Sequence, residues 1–145
     1  MPIRMEKDPA LAALHVLAVD DNDYILRLVK MVVTDLGVAE CQIARDAIEA
    51  MKILQANRGT INLMICDWNM PGITGLEFLR KLRADKLDLP FIMLTARADE
   101  GSVIAAKEVG VDAYLVKPFA PIQLERKLKA LVNGTPESQP ADPFA

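Results

Sequence analysis

The sequence predicts a single α/β domain in which a five-stranded parallel sheet is doubly wound, with five flanking helices. Three observations carry this expectation. Five strand-helix units follow one another along the chain, and four of the five strands are nearly all apolar, as strands covered on both faces are. At 145 residues the chain fits one domain, long enough to bury about two-thirds of the surface its unfolded form would expose. Right-handed crossovers then leave a doubly wound arrangement as the economical topology.

Residues 1–13, with Pro2 and Pro9, read as a flexible leader containing a short helical turn through Ala10 to Ala13. The domain is expected over 14–133. Leu14 to Val19 is an apolar run ending in Asp20-Asp21; Ile25, Leu28, Val29, Val32 and Leu36 follow at helical spacing and Gly37 closes the helix. Cys41 to Ala44 is a short strand suited to a sheet edge, and Ala47 to Gln55 carries Ile48, Met51 and Leu54 on one helical face. Ile61 to Cys66 is the third strand, with Asp67 to Ile73 as its loop. Thr74 opens a helix with Leu76, Leu79 and Leu82 inward. Pro90 to Leu94 is the fourth strand, ending in Thr95-Ala96, and a helix from about Asp99 to Val109 stops at Gly110. Ala113 to Val116 is the fifth strand, ending in Lys117-Pro118-Phe119, and Pro121 begins a helix whose inner face is Leu124, Leu128 and Leu131. Gly134 and the prolines beyond it mark 134–145 as a disordered tail.

Composition excludes several function classes. A net charge of −3 provides no basic footprint, so direct nucleic-acid binding is not expected. A single histidine, His15, rules out a multi-histidine zinc cage and reads as structural at a strand start. Cys41 and Cys66 have no CxxC spacing, and Cys66 lies in an apolar run, which suits a reduced protein. No apolar stretch approaches the ~20 residues of a membrane span and none has the form of a secretory signal. A cytoplasmic protein without membrane insertion is the resulting expectation.

In doubly wound folds the site lies beyond the carboxyl ends of the strands. Asp20-Asp21, Asp67, Thr95-Ala96 and Lys117 stand at the ends of the first, third, fourth and fifth strands. Each has an ordinary reading alone: Asp20 and Asp21 as caps of the first helix, Thr95 as a cap of the fourth, Lys117 as a solvated strand end, Tyr114 as a half-buried strand aromatic. Together they gather three carboxylates, a hydroxyl and an ammonium at one edge. Crowded carboxylates repel and resist desolvation, and a divalent hard cation beside a lysine relieves both costs. Oxygen ligands without histidine or thiolate favour Mg²⁺ over zinc.

These residues carry a family resemblance. Asp20-Asp21, Asp67-Trp68-Asn69-Met70-Pro71 with Gly75, Thr95-Ala96, Tyr114 and Lys117-Pro118-Phe119 match, in order and spacing over about Leu14 to Asn133, the motifs of response regulator receiver domains of two-component systems. The layout most resembles the chemotaxis-type single-domain members. The resemblance implies the flavodoxin-like strand order 2-1-3-4-5. It implies that Asp67 accepts a phosphoryl group from a sensor histidine kinase. Asp21, Asp67 and the backbone carbonyl of Asn69 would hold Mg²⁺, with Asp20 acting through a metal-bound water. Lys117 would pair with the Asp67 carboxylate and then the phosphoryl oxygens, while Thr95 Oγ and the Ala96 amide contact the phosphoryl group. A cis bond before Pro118 is implied as well. Thr95 and Tyr114 would form the switch, Tyr114 rotating into space that Thr95 vacates, and the fourth helix, fifth strand and fifth helix would form the output face toward an unidentified partner.

Some positions depart from the family pattern or tune it. Thr74 stands where many receivers have Asp and reads as a helix cap. Asn69 and Arg97 occupy positions that tune phosphate lifetime; Arg97 would shield the acyl phosphate or pair with Asp99 or Glu100. Those two acidic residues argue against a flagellar-motor target. The expected function is a stand-alone phosphoacceptor signalling domain, not an enzyme beyond its own phosphorylation and dephosphorylation. Alternatives are a receiver fragment of a larger regulator, a phosphorelay intermediate, or an interaction module that is never phosphorylated. A haloacid-dehalogenase-type phosphatase is disfavoured, since it needs a second Asp where Asn69 stands.

Overall fold

The computed structural model describes residues 8–57 and 59–133; the remainder of the expected leader and the whole of the expected tail lie outside the described residues. Five parallel strands, β1 (His15–Val19), β2 (Glu40–Ala44), β3 (Leu63–Asp67), β4 (Phe91–Thr95) and β5 (Ala113–Val116), form one sheet in the order β2-β1-β3-β4-β5. Helices α1 (Asp23–Asp35), α2 (Ala47–Ala56), α3 (Gly75–Ala84), α4 (Glu100–Val109) and α5 (Pro121–Asn133) connect them and close the fold. The doubly wound expectation and the strand order both hold.

Alternation along each strand builds two cores. Val16, Ala18, Ile65, Ile92 and Leu94 face α1 and α5, meeting Leu26, Val29, Val33, Leu124 and Leu128. Leu17, Val19, Met64, Cys66 and Met93 face the other way, onto Ala47, Ala50, Phe78, Leu82 and Ala106 of α2, α3 and α4. Every residue of β3 and β4 is buried, which explains their continuous apolar runs, whereas β2 at the edge is only partly covered.

Three local expectations change. The short helical turn expected through Ala10 to Ala13 is there as a 3₁₀ turn over Pro9–Ala13, but it belongs to the folded unit rather than to a flexible leader: Asp8 caps it and its fully buried Leu11 packs with α5 residues. Asn133 Nδ2 donates to Asp8 at 2.9 Å, so the folded unit includes residues from Asp8 on. In α2 the buried positions are Ala47 and Ala50, while Ile48 is 62% exposed. Small alanines let α2 lie close to the sheet, Met51 and Leu54 of the expected face pack against the core beside them, and Ile48 turns outward. Finally, Asp67 and Thr95 are the last residues of their strands rather than the first of the loops.

Helix boundaries follow the capping chemistry. Asn22 accepts the N–H groups of Tyr24 and Ile25 and caps α1, which frees Asp20 and Asp21 from that role. Thr74 caps α3 in a reciprocal box with Glu77. Asp99, not Thr95, caps α4, and Gly110 ends it in the left-handed conformation at φ 103°. His15 pairs with Glu40 across β1 and β2 at 3.4 Å, at the opposite end of the strands from the acidic residues.

Candidate functional site

Parallel pairing brings the strand ends together. Val19 is in register with Cys66, so the next residues, Asp20 and Asp67, are neighbours across β1 and β3; Thr95 is in register with Val116, which places Lys117 just past it. One oxygen each from Asp20, Asp21 and Asp67 lie within 4.8 Å of one another. Asp20 and Asp67 are buried, at 1% and 5% exposure, and Asp21 is open to solvent.

Lys117 Nζ bridges the two buried carboxylates, at 2.7 Å from Asp20 Oδ2 and 3.2 Å from Asp67 Oδ1. The shorter contact goes to Asp20, not to the expected Asp67. Asp20 Oδ1 accepts the Asn22 N–H at 2.9 Å, so both of its oxygens are engaged. Burial and the adjacent Asp20 hold the Asp67 carboxyl above the ordinary carboxylate range, opposed in part by Lys117. Burial works against the Lys117 ammonium, but its bond to Asp20 and the two carboxylate charges outweigh this and its pKa is raised. One ammonium thus leaves three carboxylates short of positive charge. The Lys117–Pro118 peptide is cis, as the resemblance implied.

On the β4 side, Thr95 is fully buried and its Oγ1 accepts the Arg97 N–H at 2.9 Å. Ala96 is exposed between them. Tyr114 is 2% exposed and donates its hydroxyl to the Arg97 carbonyl at 2.7 Å. Its ring is therefore already inward, and the expected rotation into vacated space is not needed to bury it. Burial pushes the Tyr114 phenol up.

The Arg97 guanidinium lies over Trp68, with Cζ 4.9 Å from the ring centroid, and reaches Asn69 Oδ1 at 3.4 Å. Asp99, one of its two expected partners, is occupied by the Ser102 N–H and hydroxyl, each at 2.9 Å. Trp68 also meets Tyr114 edge-on, the centroids 6.5 Å apart. Sequence reasoning quoted Trp68 in a motif but gave it no role. The available signal was positional: Trp68 directly follows β3 and Arg97 lies two residues past β4, its hydrogen-bonded neighbour.

The sequence matches the family described as "Response regulator receiver domain" over residues 16–129. The chain belongs to this receiver family. It is 37% identical over 126 residues to the chemotaxis protein CheY of Pseudomonas aeruginosa, covering 83% of this chain and 100% of that one. It is 38% identical over 117 residues to the chemotaxis protein CheY-3 of Vibrio cholerae, covering 79% and 88%. The structure of the response regulator CheY4 of Vibrio cholerae superposes with a TM-score of 0.73 at 34% identity, covering 81% of this chain and 98% of that one. A receiver is a two-component signalling domain rather than a classical enzyme, and receivers bind Mg²⁺ at this acidic pocket. The dehalogenase-type alternative is left without support. Among the described residues no helix is long and apolar enough to cross a membrane.

Proposed function

We propose that this receiver is a phosphorylation-dependent switch in which Asp67 is the phosphoacceptor and a sensor histidine kinase the donor. The observation that carries the reading is the buried Asp67 at the sheet edge, held beside Asp20 and bridged to it by Lys117. An Asp67 oxygen attacks phosphorus, the phosphorus–nitrogen bond of the donor phosphohistidine breaks, and the imidazole leaves carrying the electron pair. Lys117 stays beside the oxygen that becomes phosphorylated and neutralises charge as it develops.

The donor set suits Mg²⁺: hard oxygens, excess negative charge, and Asp20 oxygens already occupied, leaving Asp21, Asp67 and the Asn69 carbonyl as its holders and Asp20 to act through water. When bound, the cation supplies charge neutralisation for an in-line phosphoryl transfer. Thr95 Oγ and the Ala96 N–H would contact the phosphoryl group. Acetyl phosphate with Mg²⁺, followed by borohydride reduction and peptide mapping, is expected to place homoserine at position 67; a mark at any other residue would overturn the assignment.

Output would leave through α4, β5 and α5, where Ile104, Val116 and Ile122 are exposed at 48%, 36% and 46%. Thr95 and Tyr114 both bond to the backbone of Arg97, one to its N–H and the other to its carbonyl, so a phosphoryl group that draws on Thr95 acts on the same residue that holds Tyr114. Tyr114→Ala is expected to reduce the ratio of partner affinities with and without phosphate by about tenfold, the scale of one buried hydrogen bond. An unchanged ratio excludes this switch. A receiver of this kind works with a histidine kinase and an output protein; the chemistry of the exposed face calls for an apolar contact surface on the latter.

A further inference from the structure

We propose that Trp68 is a positioning residue for the phosphoacceptor site, holding the Arg97 guanidinium at its mouth so that water reaches the acyl phosphate slowly. The proposal rests on the reading of Asp67 as the phosphoacceptor. Arg97 is fixed at four points: its N–H by Thr95 Oγ1, its carbonyl by the Tyr114 hydroxyl, its Nη2 by Asn69 Oδ1, and its Cζ by the indole face of Trp68. The first two hold the backbone and leave the side chain free to choose a direction. Among the described residues, Trp68 and Asn69 are the ones whose side chains touch the guanidinium.

Trp68 suits this task better than Asn69. It is 7% exposed and packed edge-on against Tyr114, so its ring cannot follow a mobile arginine. A cation over a largely buried indole keeps its attraction because little solvent competes on the ring side. The contact to Asn69 is long at 3.4 Å and exposed. Asp67, on the central strand, is bordered by Asp20 on the β1 side and by Thr95 and Arg97 on the β4 side. Lys117 bridges it to Asp20. Asn69 and Arg97, each two residues past the end of its strand and in contact with one another, stand at the same carboxyl edge of the sheet as Asp67. Hydrolysis there adds water oxygen to phosphorus and breaks the phosphorus–oxygen bond to Asp67. The carboxylate, inorganic phosphate and a proton are released.

The test compares the wild type, Trp68→Leu, Arg97→Ala and the double variant, each phosphorylated with acetyl phosphate and Mg²⁺, freed of donor, and followed by intact mass. Each single variant is expected to lose phosphate about fivefold faster, the double variant no faster than Arg97→Ala, and Trp68→Phe to recover most of the lifetime. A Trp68→Leu lifetime equal to wild type overturns the proposal. So does an equal acceleration in the Arg97→Ala background, which is what loss of local packing alone produces. Trp68 is the chain's one tryptophan, so its emission in Arg97→Ala provides a measurement without altering the indole; an emission unchanged from wild type overturns the contact. A wild type that takes no phosphoryl group fails the phosphoacceptor reading itself, and this inference falls with it.

Discussion

Gly75→Ala is expected to remove a large part of the folding stability of this protein. Gly75 is the first residue of α3, and its N–H donates to the Trp68 carbonyl at 2.7 Å. A Cβ at this position would collide with the Asp67 carbonyl oxygen and stand 2.9 Å from both the Asp67 carbonyl carbon and Trp68 Cα. All three are backbone atoms of the segment that carries the phosphoacceptor, so no flexible side chain can give way. Relief requires α3 to move off the end of β3, opening the core around Phe78 and Leu79. A cost of roughly 3 kcal/mol or more follows, a large part of the 5–15 kcal/mol typical of a whole domain. Urea denaturation would show it as a lower midpoint. An alanine variant within about 0.5 kcal/mol of wild type would contradict the tight junction.

Asp67→Asn is expected to act in the opposite direction on stability, raising it by roughly 1 kcal/mol at pH 7, or a few degrees in Tm. Burial and Asp20 raise the Asp67 pKa above its unfolded value. The folded chain therefore holds this proton more tightly than the unfolded chain. The stability this linkage contributes is complete below the unfolded pKa of about 3.8 and is lost as pH rises through the higher folded value. At pH 7 the full cost of the crowded charge is present, and asparagine removes it. The gain should accordingly shrink as pH is lowered toward 3.8; a gain independent of pH would point to packing instead. Mg²⁺ should raise the wild-type Tm and do much less for Asp67→Asn, since a ligand at about 100 times its Kd adds roughly 2.7 kcal/mol.

The layout of the site was legible because parallel strands turn position in the chain into position in space. An apolar run ending at Asp67, another ending before Asp20-Asp21 and a third before Thr95 are enough to place those groups at one edge, once the sheet is recognised as parallel. Thr74 and Gly110 were legible for a different reason: caps are local chemistry. The strand order came from the family resemblance, because crossover handedness alone permits more than one order. What escaped depends on contacts between distant segments. Ile48 was expected inward because size marked the stripe, yet α2 uses Ala47 and Ala50 to approach the sheet. Leu11 sits in a proline-bearing stretch with too little pattern to show that it packs with α5 residues. Lys117 favours Asp20 over Asp67, Tyr114 is already inward, and Arg97 lies on Trp68. Spacing along a chain does not encode any of these three choices.

Asp67, within its acidic pocket, is proposed as the residue that takes the phosphoryl group. Wild type and Asp67→Asn are each incubated with acetyl phosphate, with and without Mg²⁺, and weighed intact. One phosphoryl mass on the wild type, present only with Mg²⁺ and absent from Asp67→Asn, is the predicted result. An equal adduct on both proteins, or on the wild type without the cation, would contradict it.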